Sequence, residues 1–150
     1  MIRPRFSDIP VLWLADSSCR DLYVLNTSVA DWEAFLDLAT LYPFDYTYDG
    51  EPRELPSVAQ VFRDQDGTHL LRIHLDAVTL NCHFFDEDEI ELDLDPRQVV
   101  SGEQHEQVLD FMERLGSALS KTVLLTPENS RNQPLLTYSA ESSTWASRRV

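Results

Sequence analysis

Apolar and polar positions alternate most clearly between residues 70 and 95, where LLRIHL, VTLNCHF and EIELDL each read as a strand with one apolar face. A two-residue turn at Asp76 and Ala77 sets Leu75 opposite Val78, Ile73 opposite Leu80 and Leu71 opposite Cys82. Carried through a loop at 85 to 89, the same parity sets Phe84 opposite Ile90, Cys82 opposite Leu92 and Leu80 opposite Leu94. Three strands then share one apolar face. On the other face Arg72, Asn81 and Asp93 fall in one row, His74, Thr79 and Asp95 in another, and His83 lies beside Glu91. VAQVFR, 58 to 63, is expected to be a fourth strand joined through the turn DQDG, although neither of its parities is uniformly apolar.

Helical spacing appears twice. Trp32, Phe35, Leu36 and Ala39 repeat behind a capping box at Ser28 and Asp31, and Pro43 closes the segment. Val108, Phe111, Met112, Leu115, Ala118 and Leu119 form a second stripe, behind a capping box expected at Ser101 and Gln104. VLWLAD (11 to 16) and DLYVLN (21 to 26) read as an opening hairpin, FDYTYDG as a strand ending in an Asp-Gly turn, and TVLLT and PLLTYS as two late strands. The fold expected is α+β, an antiparallel meander with two main amphipathic helices on one face. Residues 1 to 150 suit a single domain, with a flexible Ser-rich tail from about 141.

Charge changes this picture. The chain has 26 acidic and 12 basic side chains, a formal net charge of −14. Seven of the carboxylates, Asp86, Glu87, Asp88, Glu89, Glu91, Asp93 and Asp95, fall within ten positions. Such a balance argues against nucleic acid and anionic membrane as partners, because gripping phosphates takes a basic footprint. It favours a basic protein partner. The two cysteines, Cys19 and Cys82, suit neither a disulfide framework nor a zinc site, so a reducing cytoplasm is expected. The apolar run after Arg3 and Arg5 is interrupted by Asp8 and Pro10, which speaks for a folded segment over a signal peptide, and no stretch approaches membrane-spanning length.

Candidate chemistry is thin. DEDEIELDLDP has no glycine for a calcium loop, and Glu91, Asp93 and Asp95 repeat about every 7 Å along a strand, too far apart for one ion. Acid and base catalysis needs a desolvated carboxyl, whereas this run reads as wet. Cys82 and His83 point to opposite strand faces, which leaves Cys82 in the core. With no GxSxG, HExxH, P-loop or GxGxxG in the chain, no catalytic residue, metal or cofactor is expected. Two readings of the acidic run stand: a surface for a basic partner, or a solvated face protecting a sheet edge. Tyr46 and Tyr48, at period 2 with Phe44, are either one side of a half-buried strand or aromatic anchors beside the acidic surface.

The succession NCHFFDEDEIELDLDPRQV, FMERLGSALSK, VLLTPENS and PLLTY, over roughly residues 70 to 140, resembles small bacterial immunity-type proteins associated with polymorphic and contact-dependent toxins. The resemblance implies a compact cytoplasmic α+β protein without an active site, which occludes a basic toxin such as a nuclease. No contact residue carries over, because these families diverge at the toxin-facing surface. A small-ligand protein or enzyme with a pocket between helix and sheet, and an accessory domain acting through oligomer contacts, are the competing expectations.

Overall fold

The computed structural model describes residues 2–148. The strands are β1 (Arg20–Leu25), β2 (Phe44–Tyr48), β3 (Glu51–Pro52), β4 (His69–Leu75), β5 (Val78–Cys82), β6 (Glu89–Leu94), β7 (Val123–Pro127), β8 (Leu136–Ser139) and β9 (Thr144–Ser147). The helices are α1 (Val29–Ala39), α2 (Val58–Arg63) and α3 (Gly102–Leu119). The strands form one antiparallel sheet in the order β3-β2-β4-β5-β6-β1-β7-β8-β9, so the fold is α+β.

The register expected for the central meander holds. Leu75 pairs with Val78, Ile73 with Leu80 and Leu71 with Cys82, and Cys82 in turn pairs with Leu92. Leu22 and Val24 of β1 extend this apolar face, and Leu125 and Leu136 continue it through β7 and β8. Trp32, Phe35 and Leu36 of α1 and Val108, Phe111, Met112 and Leu115 of α3 bury against it. α3 also comes close to β8: a Cβ on Gly116 would lie 2.8 Å from Cδ2 of Tyr138, so only glycine permits the approach. Of the second stripe, Ala118 is exposed and Leu109 is buried in its place.

Four expectations fail, each for a physical reason. Residues 11 to 13 form a turn and 14 to 16 are irregular, so the opening hairpin is absent. Arg20, only 2% exposed, donates from its guanidinium to the carbonyls of Val11, Leu12, Leu14 and Cys19, which takes up hydrogen-bonding groups a strand would have paired. Trp13 of the same segment donates its indole N–H to Nδ1 of the buried His105 at 3.0 Å, and His105 Nε2 hydrogen bonds to the Pro4 carbonyl. Because the indole is only a donor, the imidazole proton sits on Nε2. β1 is thus free to pair with both β6 and β7 at the centre of the sheet.

VAQVFR is the helix α2, not a strand. Its capping box joins Ser57 and Gln60, and Val58 and Val61 face the core at helical spacing, which explains why neither strand parity was apolar. DQDG consequently joins α2 to β4, while the hairpin turn between β2 and β3 is Asp49-Gly50, both with positive φ. At the head of α3 the Ser101 hydroxyl donates to Gln104 Oε1 at 2.6 Å and makes no backbone cap. Finally, the tail expected to be flexible forms β9, paired with β8 and pinned where the Trp145 indole donates to Glu113 at 2.9 Å.

Candidate functional site

β6 lies inside the sheet, between β5 and β1, so the acidic run protects no edge. Its outward carboxylates enter a polar row that crosses six strands: Asp45, Arg72, Asn81, Asp93, Asp21 and Thr126. Each charge on the strand is answered locally. Asp93 accepts from Asn81 Nδ2 at 2.9 Å and bonds His83 Nε2 at 3.0 Å, in place of the contact expected between His83 and Glu91. That bond raises the His83 pKa and favours the charged imidazole. Asp95 accepts from the Arg97 side chain and backbone, and Glu89 pairs with Arg131 at 2.8 Å.

Glu91 shares a proton donor with a residue the sequence did not single out. The Tyr23 hydroxyl lies 3.1 Å from both Glu91 Oε1 and Asp21 Oδ2, and a phenol has one proton to offer. Asp21 and Tyr23 are each 2% exposed, because the loop after β7 folds over them. Within that loop the Asn129 N–H donates to Asp21 Oδ2 at 2.7 Å, and Arg131 lies over the Tyr23 ring. Burial, reinforced by Glu91 and Asp93, pushes the Asp21 carboxyl up to about 6, against the opposing bonds from Asn129 and Tyr23.

A carboxyl whose folded-state value lies above its ordinary 3.8 binds more protons folded than unfolded. Its contribution to stability is therefore present below that ordinary value and is lost as pH rises through about 6. Asp21→Asn, nearly isosteric and uncharged, is expected to exceed the parent in urea midpoint at pH 8 and to converge with it at pH 4. A difference independent of pH would contradict the buried-carboxyl account.

Within the acidic run, the carboxylates left without a side-chain partner lie at the apex between β5 and β6. Asp86, Glu87 and Asp88 are exposed, and among the described residues none of them has a cationic side chain within ion-pairing distance. The apex backbone is nevertheless fixed. The Glu87 carbonyl accepts from Thr27 Oγ1 at 2.6 Å and from the Trp32 indole at 3.0 Å, the Asp88 carbonyl accepts from the Thr27 N–H at 2.9 Å, and Asp86 Oδ1 accepts from the Asp88 N–H at 3.0 Å.

Phe84 enters the apex at φ 56°, a left-handed conformation that costs a bulky residue about 1–2 kcal/mol. Its ring stacks on Trp32 at 5.4 Å in the core, which offsets the strain. The strained turn sends the next ring outward: Phe85 is 68% exposed and stacks on His83 at 5.1 Å. An exposed aromatic ring and three unneutralised carboxylates thus sit side by side on a backbone tied to the core.

Other candidates are distributed differently. Tyr46, 4% exposed, faces the core and hydrogen bonds to His69 Nδ1, so it offers no anchor to a partner. Tyr48 lies on the same side, half-buried, with its hydroxyl donating to Asp64 at 3.1 Å; both are on the sheet face opposite Glu91 and Asp93. His74 bonds Asp45 at 2.9 Å and Thr79 at 3.2 Å beside an open depression of about 420 Å³ that also includes Arg72, Asn81 and Asp95. Cys82 is enclosed in the core, and burial pushes its thiol up to about 12, away from nucleophilic use.

Among the described residues no group of three or more His, Cys, Asp and Glu side chains is placed to hold a metal ion, and no helix is long and apolar enough to cross a membrane. No family model, curated protein or solved structure matches the chain.

Proposed function

We propose that this chain is a non-enzymatic acidic binding protein that occludes a basic protein, in the manner of the immunity-type proteins its sequence phrases resemble. The observation that carries the reading is the apex, where unneutralised Asp86, Glu87 and Asp88 adjoin exposed Phe85 on a backbone fixed by Thr27 and Trp32. A rigid backbone lowers the ordering cost of association. Charge steers the encounter, and an aromatic anchor supplies short-range affinity once water is excluded. Glu89, Glu91, Asp93 and Asp95 contribute background field, since each already has a side-chain partner within the chain. A toxin with a basic substrate groove is the partner whose chemistry fits.

Affinity capture with the full chain as bait, from cells of its source, tests the reading. A basic protein is expected to be retained at low salt and released as salt rises. Phe85→Ala bait is expected to hold it at least 30-fold more weakly, which corresponds to the roughly 2 kcal/mol of a hot-spot residue. Its unfolding free energy should stay within about 0.5 kcal/mol of the parent, as for an exposed side chain. Recovery of the chain alone, or equal retention by both baits, would reject the proposal.

A further inference from the structure

An apolar groove of about 430 Å³ runs between α1 and the chain that leads into α2. Buried Leu36 and Val58 and half-buried Leu55 and Pro56 form its floor, and exposed Glu33 and Asp37 stand at its mouth. No lysine, arginine or histidine lines it. Among the described residues no cationic side chain lies within 4 Å of either carboxylate. The depression on the open sheet face, by contrast, holds Arg72 and His74 together with Asp95.

In a chain of net charge −14, unpaired acids alone say little, but these two are placed where a helix least tolerates them. Glu33 and Asp37 stand one turn apart on the same face of α1, and like charges at that spacing repel. Asp37 also lies in the last turn, which has no basic residue and where the unpaired carbonyls already carry partial negative charge. Capping of the helix falls to Ser28 and Asp31 at its start, and to neither of these residues. Local helix chemistry thus gives no reason for either acid, whereas a cation held between them would relieve both penalties. The floor narrows what that cation can be. A bare ion gains nothing from Leu36, Leu55 and Val58, while a side chain with a hydrocarbon stem and a charged head uses both parts of the groove.

We propose that this groove receives a lysine or arginine side chain of the basic partner, its stem on the apolar floor and its charged head between Glu33 and Asp37. The groove rests on the function proposed for the apex and extends the same surface. α1 begins at the apex, where the Trp32 indole holds the Glu87 carbonyl. From Val29, Glu33 and Asp37 lie only about 6 and 12 Å along the helix axis. Charge at the apex steers the partner from a distance, and the groove selects a long cationic side chain on contact.

Titration of the full chain with n-butylguanidinium, n-butylammonium, n-butanol and methylguanidinium, followed by amide NMR shifts of Glu33, Asp37 and Ala59, tests the assignment. One or both butyl cations are expected to give saturable shifts, the tighter of them identifying arginine or lysine as the occupant. Butanol, which lacks the charge, and methylguanidinium, which lacks the stem, should each bind at least fivefold more weakly. Glu33→Gln/Asp37→Asn is expected to weaken the tighter cation at least tenfold, while its urea midpoint holds or rises because both helix penalties disappear. Absence of saturable shifts, equal binding of butanol or methylguanidinium, or parental affinity in the double variant would overturn the proposal. A lowered midpoint would overturn it as well, by giving the two acids a structural purpose. The probes need no partner, so the two proposals fail separately. Failure to capture a basic protein would reject the function proposed for the apex, whereas a captured protein held equally by the parent and Glu33→Gln/Asp37→Asn baits would overturn the groove alone.

Discussion

Replacing Trp32 by alanine is expected to lower the unfolding free energy by about 3–5 kcal/mol, the usual cost of emptying a large aromatic site in a core. Trp32 is fully enclosed, stacks on Phe84, and meets Phe35 and Phe62 edge-on at 5.6 and 5.1 Å. A domain of ordinary stability has about 5–15 kcal/mol to lose, so the urea midpoint should fall steeply. The consequence reaches the apex, because the same indole donates to the Glu87 carbonyl and its stacking partner Phe84 holds the strained left-handed turn. Trp32→Phe separates the two effects. It keeps most of the buried ring and removes the hydrogen bond, a loss of about 1 kcal/mol. In both variants the Thr27 amide, bonded to the Asp88 carbonyl, should exchange its hydrogen faster relative to amides of β1 and β6. Unchanged Thr27 protection in Trp32→Phe would show that the apex is fixed by Thr27 alone.

The central meander was legible because strand parity is a local rule with few exceptions. With Asp76 and Ala77 as the turn, Leu71, Ile73 and Leu75 can meet Cys82, Leu80 and Val78 in only one way, and Asp76 does adopt the positive φ such a turn requires. The place of β1 was illegible for the opposite reason. Nothing near Arg20–Leu25 specifies that it pairs with β6, some 70 residues away, yet that pairing removes the acidic strand from the sheet edge and brings Asp21 and Tyr23 beside Glu91 and Asp93. A signal was present in Asp21 and Tyr23 alternating with Leu22 and Val24, which marks a strand with a polar outer face.

α2 was misread although its capping residues, Ser57 and Gln60, stand in the sequence, because six residues are too few for a helical period to outweigh the strand preference of Val and Phe. The acidic run itself divides in an unexpected place. Parity assigned the projected charge to Glu91, Asp93 and Asp95, but side-chain partners engage those groups, and the unanswered charge resides on Asp86, Glu87 and Asp88. Sequence spacing cannot show this, since Tyr23 and Asn81 reach the carboxylates across strands.

Removing the apex charge alone isolates its role in association. Asp86→Asn/Glu87→Gln/Asp88→Asn should leave the fold intact, because Thr27 and Trp32 hold the apex through the Glu87 and Asp88 carbonyls, which the substitutions retain. Mutual repulsion among the three carboxylates also disappears, so the urea midpoint is expected to hold or rise slightly. The association rate with the captured basic protein should fall about 10- to 1000-fold at low ionic strength, the range that steering by a focused field supplies. The dissociation rate should change less, because Phe85 and the apolar contacts govern residence.

The decisive measurement is the association rate of that partner as a function of salt, for the parent chain and the triple variant side by side. The two should differ widely at low salt and converge as the screening length shrinks to a few ångströms near 1 M. Parallel curves, or a parent rate insensitive to salt, would contradict the claim that this chain recognises its partner through the acidic apex.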